Sequence, residues 1–393
     1  MKTAIVGGGA AGFFLAINLK EMLPAMEVTV FERAQKVLAK VEVSGGGRCN
    51  CTNSFESVRD LSAVYPRGHR LMKRLFKSFN HRDAYAWFER HGVRLVTQED
   101  ECVFPATQDS HTIINCFLSA AHRLGIRIEK GRGIASLDEL QDYDHVVVTT
   151  GGAPRLESFR WLADRGIEIV PPVPSLFTFS IADTALQALM GTVVEDATAY
   201  IPGTPFRASG ALLITHWGMS GPAILRLSSY AARHLADHDY HAPLAVSWTS
   251  RKDTEVMQEL EEIIALHPQK QIAGIRPFGL PTRLWTYLIG KALGERATNR
   301  WQNLNRKELN RLVNTLCNDG YQIAGRAAFK DEFVTCGGVS LSAVNPATLE
   351  CKTIPRLYFA GEVLDIDGVT GGFNFQAAWT TAHTVACAIS NNY

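Results

Sequence analysis

Residues 3–12 read Thr-Ala-Ile-Val-Gly-Gly-Gly-Ala-Ala-Gly, an apolar run passing directly into G-x-G-x-x-G at Gly7, Gly9 and Gly12. The run predicts a buried strand over Thr3–Val6. The Ala-, Leu- and Ile-rich stretch Ala10–Met22 predicts a helix that Pro24 helps to end. Glu27–Phe31 predicts a second strand, closed by Glu32. In such a βαβ unit Gly7 permits the tight turn, Gly9 lets the backbone approach a pyrophosphate, and Gly12 allows close helix–strand packing. The helix start at Ala10 and Ala11 then offers free N–H groups and a positive dipole end to the phosphates. Glu32 falls twenty residues beyond Gly12, where a carboxylate accepts hydrogen bonds from an adenosine ribose. Glycine-rich turns arise by chance, but strand, glycines, helix, strand and acid in this order predict dinucleotide binding. The motif alone does not separate FAD from NAD.

Composition bounds the rest. At 393 residues the chain has room for two or three domains. Apolar residues at 46% and charged residues at 20% fit an ordinary globular protein. A formal charge of +1 gives no bulk attraction to nucleic acid or to an anionic membrane. No apolar run approaches the ~18 residues that span a bilayer, and no leader is visible at the N-terminus. The 8 cysteines follow no regular framework, so the expectation is reduced thiols in a cytoplasm.

Two further segments bear on the cofactor. Residues 44–50 read Ser-Gly-Gly-Gly-Arg-Cys-Asn. Three consecutive glycines cost backbone entropy, which points to close approach to a ligand or to positive φ. Ser44 and the amides of Gly45, Gly46 and Gly47 are candidate contacts to a pyrophosphate or ribityl chain, with Arg48 offsetting negative charge. A flexible surface loop is the competing reading. Near the other end, residues 357–376 read LYFAGEVLDIDGVTGGFNFQ. Gly361-Glu362 follows a predicted strand, where the carboxylate can accept hydrogen bonds from ribityl hydroxyls. Gly371, Gly372, Phe373, Asn374, Phe375 and Gln376 lead into an apolar helix over Ala377–Ile389, with Asn374 a plausible N-cap. That helix start would stabilise negative charge at the flavin N1/O2 edge.

These strings resemble a family of FAD-binding oxidoreductases often called aminoacetone-oxidase-like, whose signature reads SGGGRCN-x-TN. Three further segments look like the same family: FTFSIAD with ASGALLITHWGMSGPAIL, VTCGGVSLSAVNPATLECK, and YFAGEVLDIDGVTGGFNFQAA. Cys51 departs from it, since relatives commonly carry an apolar residue there. The resemblance implies an α/β fold: a split Rossmann-type FAD-binding domain with an inserted β-rich, barrel-like domain and a small helical domain. It also implies that the Ile134 backbone meets the adenine ring, and it implies no single substrate.

The middle of the chain agrees with a split domain. Residues 144–154, DHVVVTTGGAP, predict a buried strand ending at Thr150, Gly151 and Gly152. Strand-like segments broken by Gly and Pro follow residue 190, and residues 252–316 turn charged and helical. The expected partition is 1–189 and 326–393 for the FAD-binding domain, 190–251 for the β-rich insert and 252–325 for its helical part. No second strand–G-x-G-x-x-G–helix unit lies between 150 and 330, so FAD is expected as the one permanent nucleotide. Arg33, Lys40, Cys49 and Asn50 flank the glycine segments and complete the candidate cofactor set.

A catalytic acid is harder to name. His216, in LLITHWGMSGP, is the candidate, since histidine is the residue type suited to proton transfer near neutral pH, and Trp217 beside it could line a pocket. A lone histidine at a strand end is more often structural. Ser220-Gly221-Pro222 looks like a helix start with an N-cap and an early proline. Cys49-x-Cys51 is short and strained for a dithiol cycle. The basic stretch Arg296, Arg300, Arg306, Lys307 and Arg311 is interleaved with acids and lacks aromatic stacking partners, which predicts a solvated face and no nucleic acid. No metal-ligand spacing is present. The expected activity is therefore hydride or electron-pair transfer between FAD and a small organic substrate, with NAD(P)H as candidate donor. An oxygen-using amine oxidase is one alternative. An RNA-associated or sensor flavoprotein without turnover is another.

Overall fold

The computed structural model describes residues 1–326 and 334–392. The chain divides into two compact units, Met1–Pro174 with Val334–Tyr393, and Ser175–Phe333.

The first unit is built on a five-stranded parallel sheet. Its strand order is Leu357–Phe359, His145–Val148, Lys2–Val6, Glu27–Glu32 and Arg127–Lys130. Val6 sits between Phe31 and Val148, so strands from both ends of the chain share one register. Parallel strands need crossovers, and the helix Ala10–Met22 supplies the first. Its residues Ala11–Leu19 are buried on every side, as expected for a helix enclosed by other elements. The C-terminal helix Phe373–Asn391 packs along it. Phe14 meets Trp87 at 4.5 Å and Trp379 at 5.1 Å between ring centroids, joining the two helices through an aromatic core. A three-stranded antiparallel sheet holds Thr52–Asn53, Cys102–Pro105 and Leu95–Thr97. Val334–Val339 pairs with Ile169–Ser175.

The second unit is a closed six-stranded barrel with helices. Around the barrel run Val193–Tyr200, Arg207–Thr215, Gly218–Ser220, Phe179–Ser180, Asp319–Arg326 and His241–Ser247. Phe179–Ser180 and Asp319–Arg326 come from outside residues 190–251. Without them the barrel would leave open strand edges, and closure pairs those edges. The two compact units divide at Pro174/Ser175. The expected return at residue 326 adjoins residues 327–333, which lie outside the described residues. Helices Asp253–Leu266, Thr282–Leu293 and Arg306–Cys317 complete the unit, with Trp285 stacked on Trp301 in its core. No described helix is long and apolar enough to cross a membrane.

Candidate functional site

The N-terminal glycines divide their work by what surrounds them. Gly7 has φ +120°, and a Cβ there would stand 2.4 Å from the Thr149 carbonyl oxygen. A Cβ on Gly12 would stand 2.0 Å from the Gly7 oxygen, so the helix can approach the strand only with glycine here. A Cβ on Gly9 would meet nothing within 4 Å. Gly9 is also the N-cap of the helix that begins with Ala10 and Ala11. This helix start carries no side-chain cap bond and no acid in its own first turn.

On one side of this turn Glu32 is held by two backbone donors. Its Oε2 accepts from Gly8 N–H at 2.9 Å and its Oε1 from Ala34 N–H at 2.8 Å. The exposed Arg33 lies against Gly133. Residues 131–134 run alongside, bonded through Arg132 N–H to the Glu32 carbonyl, and Ile134 packs against the buried cluster of Ala4, Val6, Phe31 and Leu140.

On the other side the chain ends meet. Lys40 Nζ reaches Glu362 Oε2 at 2.8 Å, and Glu362 Oε1 accepts from Thr335 N–H at 2.9 Å. Gly152 passes so close to this carboxylate that a Cβ would lie 2.6 Å from Oε1. Gly151 adjoins it, and Thr150 is exposed one residue before. Gly361 N–H is bonded to Thr381 of the C-terminal helix.

The 44–53 segment docks on residues 371–376. Ser44 Oγ donates to the Val41 carbonyl, and Gly45, Gly46 and Gly47 all carry positive φ. Arg48 lies over the Phe104 ring at 4.2 Å and donates to the Gly45 carbonyl. With its amide oriented to satisfy both ends, Asn50 donates to the Thr52 carbonyl at 2.8 Å and accepts from Gly372 N–H at 3.2 Å. Thr52 Oγ1 donates to Gln376 Oε1 at 2.6 Å, and Asn53 Nδ2 to the Gly371 carbonyl at 3.1 Å. Gln376 is wholly buried, its other amide end bonded to Thr380. Cys49 and Cys51 are buried free thiols with sulfurs 3.8 Å apart, and burial pushes the Cys51 thiol up.

The C-terminal helix begins at Phe373, with Gly372 as N-cap, no side-chain cap bond and no first-turn acid. Asn374 is not the cap. Its amide both donates to and accepts from the Gly368 backbone, each at 2.8 Å, and pins the preceding loop instead. Phe375 stacks on Trp379, and the Phe373 carbonyl accepts from Tyr65 OH at 2.9 Å. In the second unit Gly221, not Ser220, caps the helix Pro222–Tyr230.

His216 is not among the residues gathered in the first unit. It is exposed in the turn after Arg207–Thr215, edge-on to Trp217 at 4.3 Å. Sequence reading missed Thr149 and Thr335, which contribute a packed backbone oxygen and an amide, and the pair Arg67–Asp367. Arg67 Nε donates to Asp367 Oδ1 at 2.5 Å and the carboxylate is wholly buried. Three hundred residues separate the partners, so no local spacing signals the pair. Among the described residues no cluster of His, Cys, Asp or Glu is gathered that could hold a metal ion.

A family model described as the HI0933-like protein Rossmann domain matches residues 1–388. The chain belongs to this family. Its fold class is that of a Rossmann-type FAD-binding oxidoreductase. It is 26% identical over 410 residues to a ribosomal RNA dihydrouridine synthase of Haemophilus influenzae, covering 98% of each chain. A protein of the same description from Escherichia coli is 27% identical over 405 residues, covering 98% of this chain and 96% of that one. A 3-dehydro-bile acid delta(4,6)-reductase of Clostridium scindens is 23% identical, covering 97% of each.

Proposed function

We propose that this protein is an FAD-dependent reductase, fed by NAD(P)H, that saturates a ring C=C bond conjugated to a carbonyl, and that the ring is uracil in ribosomal RNA. The observation that carries this reading is the end-to-end similarity to two ribosomal RNA dihydrouridine synthases. The third relative's description is also a ring reduction, so the class of chemistry agrees while the substrate differs. That relative favours a second reading, an unsaturated 3-oxo steroid as substrate.

The residues of the first unit fit FAD. Two helix N-termini, at Gly9 and Gly372, lack both side-chain caps and first-turn acids. The open backbone at Gly9 and the amides after it would hold the diphosphate. Glu32 would accept from the adenosine ribose, its orientation fixed by Gly8 and Ala34. Ile134 would border the adenine with its backbone, and Arg33 would lie at the same end. Glu362, steadied by Lys40 and Thr335, would accept from the ribityl chain, with Thr150, Gly151 and Gly152 leaving it room. Ser44–Asn50 and Gly371–Gln376 would border the isoalloxazine, and the helix start at Phe373 offers its positive end to negative charge on that ring. When bound, FAD supplies two-electron hydride exchange. Saturation of the double bond also needs one proton.

An anaerobic titration tests the proposal. NADH or NADPH should bleach the flavin, and protein-free ribosomal RNA should restore the colour with dihydrouridine formed in the RNA. Restoration by an unsaturated 3-oxo bile acid but not by RNA would favour the second reading. Bleaching by an amine, with peroxide on admitting air, would establish an oxidase instead. A colourless protein releasing no FAD on denaturation would sink all three.

A further inference from the structure

Residues 67–82 carry Arg67, Arg70, Lys73, Arg74, Lys77 and Arg82, two histidines and no carboxylate. In a chain of net charge +1 this is a strong local excess of one sign. Arg67 is neutralised by the buried Asp367. Arg70, Lys73, Arg74, Lys77 and Arg82 are all exposed, and none forms an ion pair with a described residue. Of the nearby acids, Asp60 lies within electrostatic reach of His69 and Lys73 without pairing with either. Asp60 accepts from Ser62, and Asp83 accepts from the Asn80 backbone in a capping box.

The basic stretch at 296–311 makes a useful contrast. There Arg296 is paired with Glu308 at 2.6 Å and Arg306 with Glu261 at 2.5 Å. Carboxylates answer two of its cations within the same unit. Among the described residues no carboxylate forms an ion pair with any of the five on 70–82.

Two features give this face a direction. The helix His69–Leu75 is tied to the loop that precedes the Gly371–Gln376 turn. Gly68 lies against Ile366, Arg67 is bonded to Asp367, and Tyr65 is bonded to the Phe373 carbonyl. Arg74 and Lys77 also border a groove of about 700 Å³ lined by both apolar and polar side chains, among them Leu75, Thr348, His383 and Ala388. Exposed cations on a stretch of chain tied to the loop before the candidate flavin segment suit a chain of phosphates.

We propose that residues 70–82 form the docking face for the phosphate backbone of the RNA substrate. This inference rests on the proposed RNA substrate and adds where the RNA is held. Phosphate contacts position a nucleic acid without reading its sequence, and each neutralised phosphate releases counterions. Affinity should therefore fall steeply with salt. For single strands the slope of log K against log salt is about −0.7 per contact, so three lost cations should flatten it by about 2.

The test measures binding of a fluorescein-labelled, uridine-rich RNA oligonucleotide to the FAD-loaded protein across a salt series. The triple variant Arg70→Gln/Lys73→Gln/Arg74→Gln should bind roughly tenfold or more weakly and with the flatter slope. The control Lys307→Gln/Arg311→Gln should bind as the parent does. Flavin content and bleaching by NAD(P)H should be unchanged in both, which separates lost docking from lost folding. Equal RNA affinity and slope in the triple variant and the parent would overturn the docking face and leave it to a protein partner. A parent that neither binds nor reduces RNA would overturn the RNA substrate itself, a different failure.

Discussion

Lys40 and Glu362 lie 322 residues apart in the chain and 2.8 Å apart in the fold. Their pairing joins the segment after the first βαβ unit to the turn after the last strand of the same sheet. Glu362 keeps 18% of its side-chain surface exposed while Lys40 keeps 55%. The lysine is thus a solvent-side partner, and screening limits its worth to stability. The Thr335 amide is the donor that orients the carboxylate.

Removing the Glu362 carboxylate should show whether it serves the cofactor. Hydrogen bonds to a charged group contribute about 1.5–3 kcal/mol each, so Glu362→Ala should weaken FAD retention by about tenfold or more. Glu362→Gln keeps an acceptor for Thr335 and should retain more. His216→Ala should retain FAD as the parent does. The FAD-to-protein ratio after exhaustive dialysis measures all three, and equal ratios would refute the assignment of Glu362.

The Arg67–Asp367 pair should matter to stability. Asp367 is wholly buried, and removing one member of a buried pair strands the other charge at a cost of about 3–5 kcal/mol. Asp367→Ala should lower the urea midpoint without changing the slope of the transition. A change under about 1 kcal/mol would mean that the arginine finds water instead.

Acid should destabilise the fold partly through His383. It stacks on Phe79 at 4.4 Å, and burial lowers its pKa, with Asp83 opposing that shift and Arg90 adding to it. A folded pKa below the unfolded value of about 6.5 means that the unfolded chain binds more protons in the interval between them. The contribution is full above about pH 6.5 and is lost as pH falls through the folded value. His81 and His145 are lowered by burial in the same direction. His383→Phe keeps an aromatic stack and removes one titration. Its unfolding midpoint should drop less between pH 7 and pH 5 than the parent's, and parallel curves would exclude His383 as a contributor.

What was legible in the sequence is what local geometry determines. The strand Lys2–Val6, the helix Ala10–Met22 and the strand Glu27–Glu32 follow from apolar runs, glycines and a proline within one stretch of chain. Asn374 was misread as a cap because an asparagine near a helix start has two uses. Here the Gly368 backbone, six residues back, takes both ends of its amide. The barrel's outer strands escaped notice because Phe179–Ser180 is only two residues long, and its pairing with Gly218–Ser220 and Asp319–Arg326 is a property of closure. Thr335 contributes a backbone amide, which no side-chain pattern can reveal.

The two glycines Gly9 and Gly12 should fail in different ways when each is replaced by alanine. At Gly12 the new methyl would stand 2.0 Å from the Gly7 oxygen and 2.8 Å from Thr149 Oγ1, so backbone has to move. Overpacking of this kind costs about 1–3 kcal/mol and occasionally more, and Gly12→Ala should lower the melting temperature even without cofactor. At Gly9 the methyl meets no protein atom within 4 Å, and φ is −92°, which alanine adopts readily. Gly9→Ala should therefore melt with the parent when FAD is absent. It should lose FAD affinity, because the methyl occupies the side from which a diphosphate would approach the helix N-terminus. Thermal melts of apoprotein and FAD-loaded protein separate the two effects. If Gly9→Ala gains as much from added FAD as the parent does, the diphosphate does not lie over Gly9.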